Sequence, residues 1–188
     1  MAEPAQQLTY LRRITPQDVD VVTRFLQDLP EGDLTFFKEP VDTETVAQWC
    51  ADERVPRWIV VGPDGAPQAM LGIVPGALWS SHVGELRIVV GDGYRRRGLG
   101  RRLARFGLAE ALRLELRKII VEVAADKEGD IAMFTAIGFD PEALLKDHIC
   151  DREGNLRDLV VLMHEVGSRS ASMDVLGLDS ELGMGDEA

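Results

Sequence analysis

The stretch "IVVGDGYRRRGLGRRL" (residues 88–103) joins an apolar strand to an amphipathic helix through a loop rich in glycine and arginine. The first N–H groups of a helix have no partner within the helix and carry the positive end of its dipole, so they suit an anion. Glycines at 98 and 100 let the backbone approach phosphate oxygens without a Cβ in the way. Arginines at 95–97, 101 and 102 add positive charge there. The stretch therefore predicts a socket for a phosphorylated ligand.

A nucleic-acid patch and a solvated arginine-rich turn compete with the phosphate socket as interpretations of the arginine cluster. The nucleic-acid patch is disfavoured by the formal net charge of −11 and by the lack of interleaved aromatic residues. The solvated turn would account for the charges but not for the glycines. Two familiar phosphate-binding loops do not match the sequence. The dinucleotide-binding fingerprint GxGxxG needs a third glycine where this chain has Leu103, and the Walker A loop needs a GK[ST] sequence that does not occur.

Outward from this stretch, changes in hydrophobic periodicity predict the other elements. Two apolar runs separated by residues 63–65 (Pro-Asp-Gly) indicate a β-hairpin. The helix after the loop is predicted to bury Leu99, Leu103, Phe106, Leu112 and Leu116. The predicted elements are a strand at 8–15, a helix at 15–29, a loop at 30–40, a helix at 42–53, a hairpin at 57–76, a strand at 83–90, a helix at 99–116, a strand at 118–125, a helix at 130–139 and a hairpin at 146–166.

The order β-α-α-β-β-β-α-β-α-β-β predicts a mixed α/β sheet in one domain, and 188 residues is about the length of one domain. We expect this domain to span residues 1–166. Residues 167–188 mix Ser, Gly, Met and Asp, and we expect them to form an acidic, flexible C-terminal tail.

Three positions of the opening stretch carry a resemblance to a known family. Arg95, Gly98 and Gly100 stand as in the [QR]-x-x-G-x-[GA] acetyl-CoA signature of the GNAT (Gcn5-related) N-acetyltransferase superfamily. The segment "FTAIGFD" (134–140) resembles the family's Tyr-x-x-x-Gly-Phe segment, and the element order is similar to the family's across residues 8–166. The resemblance implies the GNAT fold, in which two central strands splay apart.

The resemblance also implies how the co-substrate acetyl-CoA is bound. Its pantetheine arm would lie in the gap between the splayed strands and pair with backbone groups of Ile88, Val89 and Val90. Backbone amides from Arg96 to Arg101 would hold the pyrophosphate, with the arginine charges around them. The implied cofactor-binding residues of the loop are Arg95, Arg96, Arg97, Gly98, Leu99, Gly100 and Arg101.

In this family the acceptor amine attacks the thioester directly, so a base must take up a proton and a donor must serve the developing oxyanion and the thiolate. Glu85 is the predicted catalytic base, although family members that use this strand place the glutamate where this chain has Gly84. The competing interpretation is an ordinary charged residue on an open strand, paired with Arg87. The fallback groups are Glu122, Asp158, His148 and His164.

Two further positions depart from the family pattern. Phe134 stands where many members carry a tyrosine that protonates the thiolate, and phenylalanine has no proton to donate. Lys127 stands where an asparagine commonly contacts the cofactor; it could reach a phosphate or be an exposed surface lysine.

The resemblance thus predicts an acetyl-CoA-dependent N-acetyltransferase. Its acceptor is left open between a small amine and a protein amine, and the acyl group is left open as well. We expect loop 27–40 and the closing hairpin near Asp151 and Glu153 to select the acceptor. The acidic residues and the two phenylalanines of that loop would suit a cation with an apolar body. The alternative, motivated by Phe134 and the displaced Glu85, is an acyl-CoA-binding sensor that has lost catalysis.

The composition leads to expectations about the cellular compartment, metal binding and partners. Cys50 and Cys150 form no CxxC pair, which favours reduced thiols in a cytoplasmic protein. The three histidines are scattered, so no metal site is expected. No run approaches the ~18 apolar residues of a membrane span, and no secretory signal is recognised at the start. We expect no nucleic-acid or membrane partner, and a homodimer is the default oligomeric state.

Overall fold

The structure, a computed structural model, describes residues 10–167. The first two residues of the predicted strand at 8–15 lie outside the described residues, as does all of the predicted C-terminal tail except Gly167. The division into a domain at 1–166 and a tail at 167–188 therefore stays a prediction.

Seven strands and five helices follow one another within this range. They confirm the predicted order with one addition, a single helical turn (α2) inside the segment expected to be a loop. The elements are β1 (Tyr10–Arg13), α1 (Val19–Gln27), α2 (Glu31–Leu34), α3 (Thr43–Ala51), β2 (Arg57–Val61), β3 (Pro67–Pro75), β4 (Val83–Val90), α4 (Leu99–Arg113), β5 (Lys118–Ala124), α5 (Glu128–Thr135), β6 (Asp140–Cys150) and β7 (Leu156–Glu165).

The strands form one sheet in the order β1-β2-β3-β4-β5-β7-β6. All neighbours are antiparallel except β4 and β5, which are parallel and which α4 connects. The core under α4 lies on one face of the sheet, and a second core formed with α1 and α3 lies on the other. Both faces of the sheet centre are therefore covered, as in other layered α/β proteins.

Strands β4 and β5 separate after a short paired segment. Their register covers only Val83 to Glu85 of β4, and the last partners are Glu85 and Ile120. The other edge of β4 stays paired with β3 as far as Val90. A wedge-shaped gap therefore opens between β4 and β5 beyond Glu85, which confirms the predicted splayed strands.

Close packing explains which residues of β4 face α4. A Cβ at Gly84 would come within 2.7 Å of Leu116 Cδ1, and one at Gly107 on α4 within 2.6 Å of Leu86 Cδ1. Gly84 and Leu86 therefore face the α4 core. Side chains alternate along a strand, so Glu85 and Arg87 project from the opposite face.

The predicted buried face of α4 is wrong at one position. Leu99, Leu103 and Phe106 are buried as predicted, and Leu116 is buried just beyond the helix, but Leu112 is 51% exposed. Leu112 follows Leu103 by nine residues, which at about 100° per residue places it on the opposite side of the helix. Ala104, Leu108 and Ala111 complete the buried face instead.

Candidate active site

The segment from the end of β4 into the start of α4, residues 91–101 (here the basic loop), has an unusual backbone. After a turn of 3-10 helix at 92–94, Arg96 and Gly98 both have positive φ, +58° and +78°. Gly98 is the N-cap of α4, and the helix's backbone bonding begins where the Arg102 N–H donates to the Gly98 carbonyl at 3.1 Å. The backbone N–H groups that come before Arg102 at the start of the helix have no partner within the helix. A left-handed non-glycine residue such as Arg96 is strained and is typical of functional loops.

The arginines of the basic loop divide into two groups. Arg96, Arg97 and Arg101 are exposed, and within residues 10–167 none of the three forms an ion pair. Arg95 is engaged instead: its Nε donates to the Val90 carbonyl at 3.0 Å, and its guanidinium pairs with Asp33 of α2. Part of the hydrogen-bonding capacity predicted for Val90 is therefore already used by the signature arginine.

The outer half of β4 borders the wedge-shaped gap. Ile88, Val89 and Val90 are half-buried, and each pairs on one side with β3. Ile88 and Val90 pack on the core beneath α4, whereas Val89 packs on the other core. The described pairing with β5 does not reach these residues.

Glu85 lies at the narrow end of the gap and is held by two cations. Arg87 donates to both of its oxygens, at 3.0 Å each, and Lys38 Nζ lies 2.9 Å from Oε1. Burial raises the pKa of Glu85, but the hydrogen bonds and charges of Arg87 and Lys38 outweigh it and leave the pKa below its usual range. The carboxyl group is thus an anion at neutral pH. The competing interpretation, a pair with Arg87, is confirmed as a contact, although such a contact does not exclude catalysis.

Lys38 bridges the two strands at the point where they part. Its Nζ lies 2.9 Å from Glu85 of β4 and 2.8 Å from Glu122 Oε2 of β5. Glu122 is two residues beyond the last β4–β5 pair, on the half-exposed face of β5. Of the fallback carboxylates, only Glu122 shares this cluster with Glu85.

The segment that carries Lys38, residues 31–39 (here the strap), is fastened across the gap by charges of the chain itself. Its carboxylates Glu31, Asp33 and Glu39 pair with Arg152, Arg95 and Arg87, respectively. Glu39 also accepts a hydrogen bond from the buried Trp49 indole at 2.5 Å. The strap therefore contacts the basic loop, β4, β5 and the β6–β7 hairpin together.

The Phe36 ring of the strap contacts two cations of the chain itself. Lys127 Nζ and the Arg157 guanidinium each lie 5.6 Å from the centre of the Phe36 ring. This cation–π contact places Lys127 against the strap rather than leaving it as a free surface lysine. Of the acids and phenylalanines predicted to bind an external cation, four already contact cations of the chain itself: Glu31, Asp33, Glu39 and Phe36.

The other fallback groups lie away from the Glu85 cluster. Asp158 accepts the Asp147 N–H at 2.9 Å and supports an irregularity in β6. His148 is exposed on β6. His164 is buried to 3% exposure beside Phe139, and burial lowers its pKa.

Phe134 has a packing role. It is 7% exposed, and its ring meets Phe139 edge to face at a centroid distance of 5.2 Å. The Phe139 ring in turn lies 5.3 Å from His164. These contacts explain an aromatic residue at 134, and the side chain has no hydroxyl to give a proton to a thiolate.

Sequence reasoning missed Lys38 and Glu39 as site residues. Their only signal was their place in the loop predicted to select the acceptor. Along residues 10–167 no helix is long and apolar enough to cross a membrane. The same part of the chain holds no group of three or more His, Cys, Asp or Glu placed to bind a metal ion.

Comparison with solved structures shows which proteins share this architecture. A GNAT-family acetyltransferase from Streptococcus pneumoniae superposes with a TM-score of 0.72 and 18% identity, over 84% of this chain and 99% of that one. A GNAT-superfamily phosphinothricin acetyltransferase from Sinorhizobium meliloti, in complex with acetyl-CoA, gives 0.74 and 18%, over 85% and 89%. Spermidine N-acetyltransferase from Vibrio cholerae, in complex with CoA and spermine, gives 0.70 and 16%, over 84% and 95%. At these identities the likeness shows the fold.

Sequence comparison tests whether the chain belongs to a known family. Comparison with curated proteins finds no match. A family model described as the acetyltransferase (GNAT) family matches residues 23–139, which is more than half of the chain. The match runs from within α1 to the residue before β6 and includes the splayed β4, the basic loop and Phe134. The chain therefore belongs to the GNAT family of acetyltransferases, enzymes that use acetyl-CoA as co-substrate.

Proposed function

We propose that this chain moves the acetyl group of acetyl-CoA to a primary amine by direct attack, without an acyl-enzyme. The observation that carries the proposal combines two features of residues 10–167. The outer half of β4 has one edge without a partner strand, and at its end a left-handed glycine opens a helix beside arginines that form no ion pair in this range. An extended amide-containing arm fits the strand edge, and a pyrophosphate fits the helix end.

The dimensions of the gap suit a pantetheine arm. Glu85 and Val90 are five residues apart on β4, which at about 3.3 Å per residue is about 17 Å. An extended phosphopantetheine arm has a similar length. With the pyrophosphate on the N–H groups of Gly98, Leu99, Gly100 and Arg101, the thioester would therefore lie near Glu85. Arg96, Arg97 and Arg101 would supply charge to the phosphates.

Near Glu85 the reaction needs a neutral amine, since an ammonium has no lone pair. In our proposal Glu85 takes the proton from the acceptor, directly or through a water molecule. Free backbone N–H groups of the outer half of β4 would stabilise the oxyanion. The low pKa of Glu85 makes it a weak base while Lys38 and Arg87 are both in place, so the base works best once Lys38 has moved.

The acceptor class is proposed as a primary amine, either small or on a protein. The small-amine alternative is supported by two structural neighbours, which are named as a spermidine N-acetyltransferase and a phosphinothricin acetyltransferase. We further propose that the chain works in the cytoplasm. The homodimer stays a prediction.

The second candidate is a sensor that binds an acyl-CoA without turnover. Two observations favour it: the buried Phe134 ring offers no acid for the thiolate, and Glu85 is tied to two cations. Free CoA thiol is acidic enough to leave as a thiolate, so the absence of a tyrosine does not by itself prevent turnover.

The binding part of the proposal is tested by a matched pair of variants at Gly98. Asp and Asn both tolerate a left-handed backbone and both cap helices, so they differ mainly by one negative charge. One charge about 4 Å from a phosphate costs about 4 kcal/mol at an effective dielectric constant of 20, so Gly98→Asp should weaken acetyl-CoA binding at least about 100-fold. Calorimetric titration of Gly98→Asn should give an affinity much closer to that of the parent chain. Equal affinities for the two variants would contradict the phosphate socket.

Turnover is tested by CoA release against pooled amines and lysine peptides, with the products identified by mass. Release with one pool establishes transfer, and splitting that pool names the acceptor. Saturable binding without release in any pool would establish the sensor.

A further inference from the structure

The amine of Lys38 lies at the narrow end of the gap, where the proposed function puts the thioester. The last β4–β5 pair ends at Glu85, and Nζ lies over this point between Glu85 and Glu122, at 2.9 and 2.8 Å. We propose that Lys38 is itself an acetyl acceptor, modified once per chain in cis by acetyl-CoA bound to the same chain. This inference rests on the proposed function, because it requires the thioester to lie at the narrow end of the gap.

Position distinguishes Lys38 from the other lysines. The chain has three more, Lys118, Lys127 and Lys146. Lys118 pairs with Glu142 at the far end of β5, Lys127 lies on the Phe36 ring, and Lys146 is exposed on β6. Among the lysines of residues 10–167, only Lys38 contacts carboxylates of both splayed strands. Its side chain is 43% exposed, which leaves room for an acetyl group.

The carboxylates beside Lys38 can take up the proton that its ammonium must lose before the amine reacts. The ammonium first gives one proton to a neighbouring carboxylate, which passes it to solvent. The lone pair of the neutral amine attacks the thioester carbonyl carbon, the N–C bond forms and the C–S bond breaks. A second proton leaves the nitrogen and ends on the CoA sulfur. The products are Nε-acetyl-Lys38, CoA thiol and one proton, and no redox partner is needed.

Acetylation would change the site in a definite way. The amide carries no charge, so both bridges from Lys38 to Glu85 and Glu122 are lost. The strap would lose its link to β5 through Glu122, and Glu85 would lose one of the cations that lower its pKa. The modified chain would therefore have a more accessible and more basic Glu85 for an external acceptor.

The test uses the full chain, first treated with a lysine deacetylase, and trideuterated acetyl-CoA with no acceptor amine. Labelling of each lysine is followed by peptide mass spectrometry. We expect Lys38 to be labelled at least tenfold faster than Lys118, Lys127 and Lys146, to one acetyl group per chain. The first-order rate should not change over a 20-fold range of protein concentration. Lys38→Arg keeps the cation and should accept no label at this position.

Three outcomes would overturn the inference. Labelling of Lys38 no faster than of the other lysines would show ordinary chemical acetylation. A rate that rises with protein concentration would show transfer between chains. Equal labelling in Gly98→Asp and Gly98→Asn would show that bound acetyl-CoA is not the donor. If acetyl-CoA binds and CoA is released with an external amine while Lys38 stays unlabelled, only this inference fails; if acetyl-CoA does not bind, the proposed function fails with it.

Discussion

The basic loop and the strap are both charged segments beside the same gap, but they differ in how their charges are satisfied. In the basic loop, Arg96, Arg97 and Arg101 form no ion pair within residues 10–167. In the strap, the side chains of Glu31, Asp33, Lys38 and Glu39 all pair with other parts of the chain. Unpaired charge beside free N–H groups indicates an external anion. Paired charge indicates an internal contact that a substrate must displace.

The two segments also differ in backbone conformation and in how strongly their contacts hold them in place. The basic loop keeps Arg96 in a left-handed conformation, which costs on the order of 1–2 kcal/mol and is fixed by the surrounding structure. The strap is anchored on the second core by Leu34 and Phe37 and on Trp49 by Glu39. Its ion pairs beside the gap are partly exposed, and each is worth about 0–1 kcal/mol. We infer that the basic loop is a preformed socket, whereas the ion pairs of Lys38 beside the gap can be displaced at low cost.

The largest effect is expected at Glu85, where the two segments meet. Glu85→Gln keeps the size and polarity of the side chain but cannot take up a proton. We expect kcat to fall about 100- to 1000-fold, the usual contribution of a general base, with little change in acetyl-CoA affinity. Steady-state kinetics and calorimetry on the same samples would check this.

Glu122→Gln is the matched control, because Glu122 pairs with the same lysine from the neighbouring strand. We expect its kcat to change less than tenfold. Equal losses in the two variants would remove Glu85 from the role of base and assign both carboxylates to positioning Lys38.

The next effect concerns the arginines of the basic loop. Charge-assisted contacts are worth about 1.5–3 kcal/mol, so replacing Arg96, Arg97 or Arg101 by Gln should weaken acetyl-CoA binding about 10- to 100-fold each where the side chain reaches a phosphate. Weaker dependence of the affinity on salt should accompany each loss. Arg95→Gln should instead lower thermal stability, because this side chain is fastened to Val90 and Asp33. If Arg95→Gln reduced affinity most, the division of the arginines would be wrong.

The contrast explains what could be predicted from the sequence. The basic loop is local: strand, glycines, arginines and helix are consecutive, so periodicity and helix-end chemistry are sufficient to predict it. The splay of β4 and the acetyl-CoA site came from the family resemblance carried by Arg95, Gly98 and Gly100. The family and the fold are confirmed, whereas the roles of Glu85 and the cofactor-binding residues stay predictions.

The strap could not be predicted because its contacts join distant parts of the chain. Glu39 meets Arg87 across 48 residues and Asp33 meets Arg95 across 62. Composition showed that the segment is acidic but not that the chain supplies the opposing cations. Likewise, no pattern showed that a carboxylate at 84 would point into the α4 core, whereas Glu85 faces the strap.

A smaller effect is expected at Glu39, which links the strap to both α3 and β4. Glu39→Ala leaves the buried Trp49 N–H without its acceptor and breaks the pair with Arg87. An unpaired buried donor costs about 1–3 kcal/mol, and each kcal/mol lowers the melting temperature of a chain of this size by about 2–4 °C. Calorimetric melting should show this loss. The control is Glu31→Ala, because the ion pair of Glu31 with Arg152 is long and exposed. Its loss should lower the melting temperature by less than about 1 °C. Equal shifts would mean that the Trp49 bond does not fasten the strap.

The smallest expected effect is a shift in the pH dependence of activity when Lys38 of the strap is replaced. Lys38 lowers the pKa of Glu85 by a hydrogen bond and by its charge, so Lys38→Met should raise that pKa. Glu85 must be ionised to act as a base, and activity is lost as the pH falls through its pKa. The acid limb of kcat/KM should therefore lie at higher pH in Lys38→Met than in Lys38→Arg, which retains the charge. Ionisation of the acceptor amine affects all the proteins alike and does not alter this difference. Identical acid limbs in the two variants would mean that the base is not the carboxylate held by the strap.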